Sequence, residues 1–400
     1  MTTSASPPPA VPNAAETAAP QKSPQTTKMR APALPARLTS LDVFRGLTIA
    51  GMILVNNAGD WRHIYWPLEH AEWNGWTPTD LVFPFFLFIV GVSMVFSFSA
   101  REARGCARRT LMLHVLRRAA IIFGLGVGLA AIGIHQLHDL RIPGVLQRIC
   151  VVYLFAGLMA LTTGRRAWLA NAAALLVGYW AIMRFVPVPG IGAGHLDPQN
   201  NIAAFVDRAL IPWRLYRGTW DPEGILSTLP SIATCLIGLL VGDWMRREPS
   251  AKRKVAGLLG GGAALMIVGR ALHPVFAINK NIWTSTYVLF TAGLAMVLLG
   301  ICYWAIDAKG WRRWTMPLLV FGMNAIAVYV LSELMDKAMG IIHVNDAGSS
   351  VSLKGYAYNH WFATLSSDPY VTSLLWAIAY VLLWWAIMWA FYRKRVFIKI

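Results

Sequence analysis

Apolar residues run along this chain in long blocks separated by shorter polar segments. A helix needs about 20 mostly apolar residues to span a bilayer. Ten blocks come close to that length, near 40–59, 79–99, 115–134, 145–163, 168–186, 225–245, 255–272, 285–306, 315–333 and 370–391. The pattern predicts an all-α polytopic membrane protein of about ten transmembrane helices, with no convincing internal repeat.

The polar segments alternate in charge. Every second one is basic: Arg101, Arg104, Arg108, Arg109, Arg117 and Arg118; then Arg165 and Arg166; then Arg246, Arg247, Lys252, Arg253 and Lys254; then Lys309, Arg312 and Arg313; and last Arg393, Lys394, Arg395 and Lys399. Excess Lys and Arg marks cytoplasmic loops. This phase places the basic segments and both termini in the cytoplasm. The other side has longer loops, near 60–78, 135–144, 187–224, 273–284 and 334–369. Eight of the nine histidines fall there, His114 being the exception. Pores and purely structural helices need no such bias, so the far face is the expected reaction side.

Composition agrees with a lipid setting. Hydrophobic residues make up 56% of the chain and charged residues only 14%, against about a quarter charged in soluble domains. The net charge of +17 could suggest nucleic acid, but the basic residues sit in short clusters between apolar blocks, so no nucleic-acid partner is expected. Residues 1–36 are rich in Ala, Pro, Ser and Thr and contain no apolar stretch followed by a cleavage site. They read as a disordered cytoplasmic tail rather than a signal peptide, with residues 37–400 as the membrane domain. Cys106, Cys150, Cys235 and Cys302 form no CxxC unit, so neither a disulfide framework nor a metal site is expected. ATP-binding, hydride-transfer and serine-hydrolase motifs are missing.

The richest polar stretch is HAEWNGWTPTD (70–80), in the loop between the first two helices. His70 is held there by short connections, and an imidazole so fixed can take a proton near neutral pH; it can equally be an incidental loop histidine. Trp61, Trp66, Trp73 and Trp76 are placed as an aromatic belt at headgroup level. Asn74 and Gly75 signal a turn, and Thr79 or Asp80 can cap the second helix. Asn56 and Asn57 can close the first helix or support an oxyanion. Asp42 and Arg45, three apart on one helix face, can pair, either as an anchor at the cytoplasmic end or as part of an anion site.

Gln147 and Arg148 lie in the membrane end of the fourth helix, where a charge should face a protein cavity rather than lipid. Asp221 before Pro222 is expected to cap the sixth helix, which leaves Glu223 unexplained. Thr284 is the expected cap of the eighth, and Lys280 is one of few far-side lysines. Asn324 and Glu333 lie in the ninth helix and need internal partners.

Together LDVFRG (41–46), HAEWNGWTPTDLVFPFFLFIVG (70–91), RIPGVLQR (141–148), DPEGILST (221–228) and NKNIWTS (279–285) resemble the heparan-α-glucosaminide N-acetyltransferase family, including its bacterial NagX-like members. The resemblance implies an acetyl-CoA-dependent N-acetyltransferase in a bacterial inner membrane. Cytoplasmic acetyl-CoA would be the co-substrate and a glucosamine amine on the other side the acceptor. It places the family's active histidine on His70 and a nearby asparagine on Asn56. The sequence does not choose between His70 as acetyl acceptor and His70 as general base. Trp73, Asn74, Asp80, Arg141, Gln147, Arg148, Asp221, Glu223, Asn279, Lys280 and Trp283 are the candidates for holding substrate. The animal lysosomal enzyme resembles this chain only after an additional lumenal domain. A periplasmic amino sugar is therefore the expected acceptor, rather than heparan sulfate. Expected partners are that sugar, acetyl-CoA and the bilayer, with a homodimer left open. The rival readings are a membrane O-acyltransferase acting on surface polysaccharide and a sugar transporter.

Overall fold

The computed structural model describes residues 1–6 and 38–398. Apart from residues 1–6, the expected tail at 1–36 lies outside the described residues. Ten longer helical segments follow the apolar blocks: α1 (Thr39–Asn56), α2 (Val82–Glu102), α3 (Arg108–Ala131), α4 (Val145–Thr162), α5 (Arg165–Phe185), then α7 (Thr228–Arg247), α8 (Ala251–Ala271), α9 (Ser285–Cys302), the bent pair α10 (Met316–Met323) and α11 (Ala325–Ile341), and α13 (Pro369–Arg393). Between them lie short α6 (Ile202–Leu210), a hairpin of β1 (His343–Asp346) and β2 (Ser349–Ser352), and α12 (Leu353–Trp361). Among the described residues, eight helices are long and apolar enough to cross a membrane, and a ninth if α10 and α11 form one bent span. The chain is thus a helical polytopic membrane protein. α1, with 18 residues, is not among the eight; Asp42, Arg45 and Asn56 make it more polar, and much of it is buried within the bundle.

The block at 315–333 departs from the expected straight helix. It breaks at Asn324, with an 82° bend between α10 and α11. Asn324 leaves helical geometry at φ −123°, ψ 34°. Its side chain is otherwise engaged: Oδ1 accepts from Ile398 N at 2.9 Å and Nδ2 donates to Val396 O at 3.2 Å. The amide thus ties the break to the backbone of the C-terminal segment.

Helices α2, α7 and α9 are the most buried, while α3, α5, α8 and α13 are peripheral. Backbones meet closely at small residues, as membrane helices do where no hydrophobic drive separates lipid from protein. A Cβ on Gly91 of α2 would lie 2.1 Å from Cys235 O, and one on Gly238 of α7 2.2 Å from Phe88 O. Gly46 and Gly322 bring α1 against α10 in the same way. Cys150, Cys235 and Cys302 are buried in these apolar helices, and Cys106 is exposed.

Contacts gather the helix ends into two sets. At one end Ser40 N meets Asp307, Arg45 meets Ser93, Arg165 meets Asp243 and Asn324 meets Val396. At the other, Gly59 meets Ser373, Trp73 meets Leu196, Gly75 meets Ile278 and Arg141 meets Asp221. The basic segments share the first end and the histidine-rich loops the second.

Gly91→Leu places a branched side chain against backbone rather than a movable side chain. It should cost more than the roughly 1–3 kcal/mol usual for overpacking. The expected outcome is loss of the monodisperse peak on size exclusion, whereas Gly124→Leu, where a Cβ meets nothing within 4 Å, should elute as the parent does.

Candidate active site

The loop after α1 is built around one carboxylate. Pro78–Leu81 forms a short 3₁₀ turn leading into α2, and Thr77 with Asp80 closes a capping box there. Asp80 is 1% exposed. Its Oδ2 accepts from Thr77 N at 3.0 Å, Ala71 N at 3.1 Å and Thr77 Oγ1 at 3.2 Å. Neither Thr79 nor Asp80 caps α2, whose N-cap is Leu81 with no side-chain bond; Asp80 instead closes the box of the preceding 3₁₀ turn, capped by Thr77, and uses one oxygen for it. Oδ1 accepts from His70 Nδ1 at 2.6 Å. An ionised carboxylate only accepts, so the imidazole proton sits on Nδ1 and Nε2 is left with its lone pair. The His70 side chain is 52% exposed, so that lone pair is reachable.

Lys280 closes the arrangement from the loop before α9. Its Nζ lies 3.2 Å from His70 Nδ1, 3.3 Å from Nε2 and 3.6 Å from Asp80 Oδ1. Burial pushes the Lys280 ammonium below the usual lysine range, while the charges of Asp80 and Glu223 pull the other way. The two loops are pinned together: Gly75 N donates to Ile278 O at 2.7 Å, and Asn279 Nδ2 donates to Asn74 Oδ1 at 3.2 Å. Thr284 caps α9 as expected, accepting from Tyr287 N. Trp283, fully buried, takes a positive φ of 51°, and its indole donates to Thr234 Oγ1 at 3.3 Å. A bulky residue held there marks a turn fixed by its surroundings. Tyr287 donates its hydroxyl to Asp80 O, tying α9 to the same turn.

A second ionic group adjoins the first. Arg141 grips Asp221 through Nε at 2.7 Å and Nη2 at 2.6 Å, and also bonds Glu223. Burial works against the Arg141 charge, but its bonds to Asp221 and the charges of Glu223 and Asp221 more than offset it and raise its pKa. The expected capping role of Asp221 is not observed. α7 begins only at Thr228, and the carboxylate is drawn instead to the arginine and to the backbone amides of Tyr216 and Glu223. Arg148, 2% exposed, bonds Gly224 O and Ser227 Oγ and lies over the Trp283 ring at 5.2 Å. It is shielded from lipid as expected. Gln147 is buried beside it in α4. Nearby Asp207 has its pKa raised to about 6, by burial first and by the Asp221 charge, against the hydrogen bond from Ile225 N.

Asn56 is not joined to His70 by a hydrogen bond; its amide donates to Glu333 Oε1 at 3.2 Å. Asn57 does the helix closing, donating to Ile53 O at 2.8 Å. Asp42 and Arg45 pair at 3.3 Å as expected. Of the belt tryptophans, Trp61 and Trp66 are exposed. Trp73 instead packs on Trp220 and donates to Leu196 O, and Trp76 packs on Phe290.

The basic end holds a polar pocket of about 250 Å³, with Arg45, Arg101, His114 and Arg118 in its lining. Arg118 lies over Tyr153 at 4.8 Å, and its buried Nε has no hydrogen-bond partner among the described residues. An apolar neck of about 20 Å³ shares Phe86, Ala325 and Ile326 with this pocket and reaches Phe83 and Tyr329. Phe83 packs on Trp283 at 5.1 Å. A chain of contacts thus runs from the basic pocket to the His70 loop. The sequence offered Arg45 as part of an anion site but assigned Arg101 and Arg118 to topology, and so did not find this pocket. The signal was present, since Arg45 and Arg118 lie more than a turn inside their helices.

A family profile described as "Heparan-alpha-glucosaminide N-acetyltransferase, catalytic" matches residues 37–278. This chain belongs to that family. The human heparan-alpha-glucosaminide N-acetyltransferase is 30% identical, aligned to 94% of this chain and 62% of its own length. The mouse protein of the same name is 28% identical, aligned to 91% of this chain and 60% of its own. The chain spans about three-fifths of the length of these curated relatives. The match contains His70, Asp80 and the Arg141–Arg148 segment, and stops one residue before Asn279.

Two expected outcomes follow from the geometry. Asp80→Asn removes the charge that fixes the His70 tautomer, and kcat should fall by about 10²–10⁴-fold, as for other carboxylate–histidine pairs. The variant should keep its size-exclusion profile. The second concerns pH. Asp207 has a folded pKa of about 6 against an ordinary 3.8, so the folded state binds the proton more tightly than the unfolded chain. Its stabilising contribution is present below the unfolded value and is lost as pH rises through about 6. Parent protein should lose thermal stability between pH 5 and pH 7.5, and Asp207→Asn should remove that part of the loss.

Proposed function

We propose that this protein transfers acetyl from cytoplasmic acetyl-CoA to the amine of a glucosamine-containing sugar on the periplasmic face of a bacterial inner membrane. The observation that carries this reading is the His70–Asp80 hydrogen bond of 2.6 Å, which turns the Nε2 lone pair of a half-exposed imidazole away from the carboxylate, 3.3 Å from the Lys280 ammonium. Residues 37–400 then act as one transmembrane acyltransferase domain. It crosses ten times, counting α1 and the bent α10–α11, with both ends cytoplasmic.

The basic pocket suits the phosphates of CoA. Arginine forks match phosphate oxygens, and the buried Nε of Arg118 lacks an acceptor among the described residues. Acetyl-CoA supplies an acetyl thioester, whose carbonyl carbon is the electrophile. The apolar neck leads from that pocket toward Phe83 and Trp283, on the path to His70. In direct transfer, Nε2 takes the amine proton while the nitrogen attacks; the C–N bond forms, the C–S bond breaks, and the thiolate leaves. In two-step transfer, Nε2 itself attacks the carbonyl carbon, the C–S bond breaks and the thiolate leaves; the amine then attacks the acetyl-imidazole, the C–Nε2 bond breaks, and the freed Nε2 takes the amine proton. Asp80 balances the imidazolium charge in both routes. The Lys280 ammonium lies where it can stabilise the tetrahedral oxyanion. Glu223, held by Arg141, presents a carboxylate that can bind the sugar's amine and hydroxyl groups, and buried Asp221 fixes the Arg141 guanidinium behind it. Asn56, bonded to Glu333, supports the wall of the site behind the loop.

His70→Ala should abolish acetylated product, a loss of at least about 10²-fold, while the protein remains monodisperse. Mass spectrometry of glucosamine incubated with purified protein and acetyl-CoA reads this directly; the parental rate in the variant rules the assignment out. Product from glucose in place of glucosamine supports an O-acyltransferase instead, and transport of unmodified sugar supports a carrier. Arg118→Ala should raise KM for acetyl-CoA by about tenfold, the worth of one charge-assisted hydrogen bond, with KM for the sugar unchanged.

A further inference from the structure

A lateral crevice of about 540 Å³ lies between α4, α5 and α7. That is within the size range of ligand sites, roughly 300–1,000 Å³. Phe155 and Met159 of α4, Leu175 of α5 and Leu229 of α7 make its walls apolar. It follows α4 from Gln147 to Met159, about 18 Å at the helical rise. Ile225 and Leu210 at its edge are themselves exposed, at 46% and 63%. In a membrane-spanning chain such an opening faces lipid rather than water.

One end of the crevice is chemically different. The buried guanidinium of Arg148 reaches it, and its Nε and Nη1 have no hydrogen-bond partner among the described residues. A buried charge with unmet donors is expensive unless an acceptor is supplied. Glu223 lies at the same end. Arg148 stacks over Trp283, whose amide bonds the carbonyl of Lys280, and Lys280 Nζ is 3.3 Å from His70 Nε2. The polar end of an apolar, sideways-opening crevice is therefore linked to the imidazole through Arg148, Trp283 and Lys280.

We infer that this crevice holds the aliphatic tail of the acceptor, so that the amino sugar is presented to His70 on a lipid carrier. The inference rests on the acetyl-transfer reading and names its substrate class. Apolar walls take the tail, and Arg148 donates to the oxygens that link tail and sugar. The amine then stands among Glu223, Lys280 and His70. A sugar so anchored needs no separate binding domain, because the bilayer keeps it at the height of the site.

The test compares methyl, octyl and dodecyl glucosaminides with acetyl-CoA and the full-length protein in nanodiscs. Expected kcat/KM rises by at least about tenfold from methyl to octyl, since each buried methylene alone is worth about fourfold. Ile225→Trp and Leu229→Phe narrow the crevice; they should remove this gain and leave the methyl compound unaffected. A gain that persists in both variants reflects partition into the bilayer and overturns the inference. The absence of any gain also overturns it, while turnover of methyl glucosaminide keeps the acetyl-transfer reading intact. If no glucosaminide is acetylated, the acetyl-transfer reading itself fails. A dodecyl glucosaminide with a diazirine at the tail end gives a readout that does not depend on variants. Labelling at Phe155, Met159 or Leu175 supports the inference. Labelling spread over α8 and α13 marks annular lipid only and contradicts it.

Discussion

The buried carboxylate of Asp80 is the constraint on which the far-side loops depend. A charge that is 1% exposed is tolerable only when paired and hydrogen-bonded. Asp80 meets that condition by drawing in two backbone amides, a hydroxyl, an imidazole and an ammonium. Each partner belongs to a segment that would otherwise be loose: the 70–77 stretch through His70, Ala71 and Thr77, and the 275–284 loop through Lys280. Tyr287 bonds its carbonyl and locks the turn to α9. The same bonds that make the loop a defined structure also select the imidazole tautomer. One residue therefore orders the loop and sets the tautomer, and the exposed edge of His70 is the part that the proposed chemistry uses.

The membrane helices place this loop opposite the basic pocket. Close glycine contacts bring α2 to α7 and α1 to α10, and the break at Asn324 puts Ala325 and Ile326 in the narrow neck between the two ends. The side-chain amide at that break holds the C-terminal segment through Val396 O and Ile398 N. The neck is apolar and small, and its Phe83 packs on Trp283 at 5.1 Å.

Much of this was legible in the sequence. Apolar length reveals each long helix because bilayer thickness dictates it, and the motif HAEWNGWTPTD carries its own loop, cap and imidazole. What periodicity cannot show is which carboxylate meets which base. Asp80 reads as a helix cap because caps are local, and its second oxygen finds His70 ten residues earlier in the chain. Asp221 reads as a cap for the same reason, yet Arg141, eighty residues away, claims it. The lateral crevice and the basic pocket arise from side chains on separate helices, and no local pattern encodes their meeting. The bend at Asn324 was similarly hidden, since the block at 315–333 is apolar on both sides of it.

The central claim is that acetyl supplied on the basic side is delivered by His70 to an amine on the opposite side. Protein reconstituted in one orientation in sealed proteoliposomes, with labelled acetyl-CoA on the basic face and glucosamine only on the other, tests it most directly. N-acetylglucosamine should accumulate in the glucosamine compartment with the parent protein and be absent with His70→Ala. Product that forms only when both substrates share the acetyl-CoA face, or that forms equally with the variant, would contradict it.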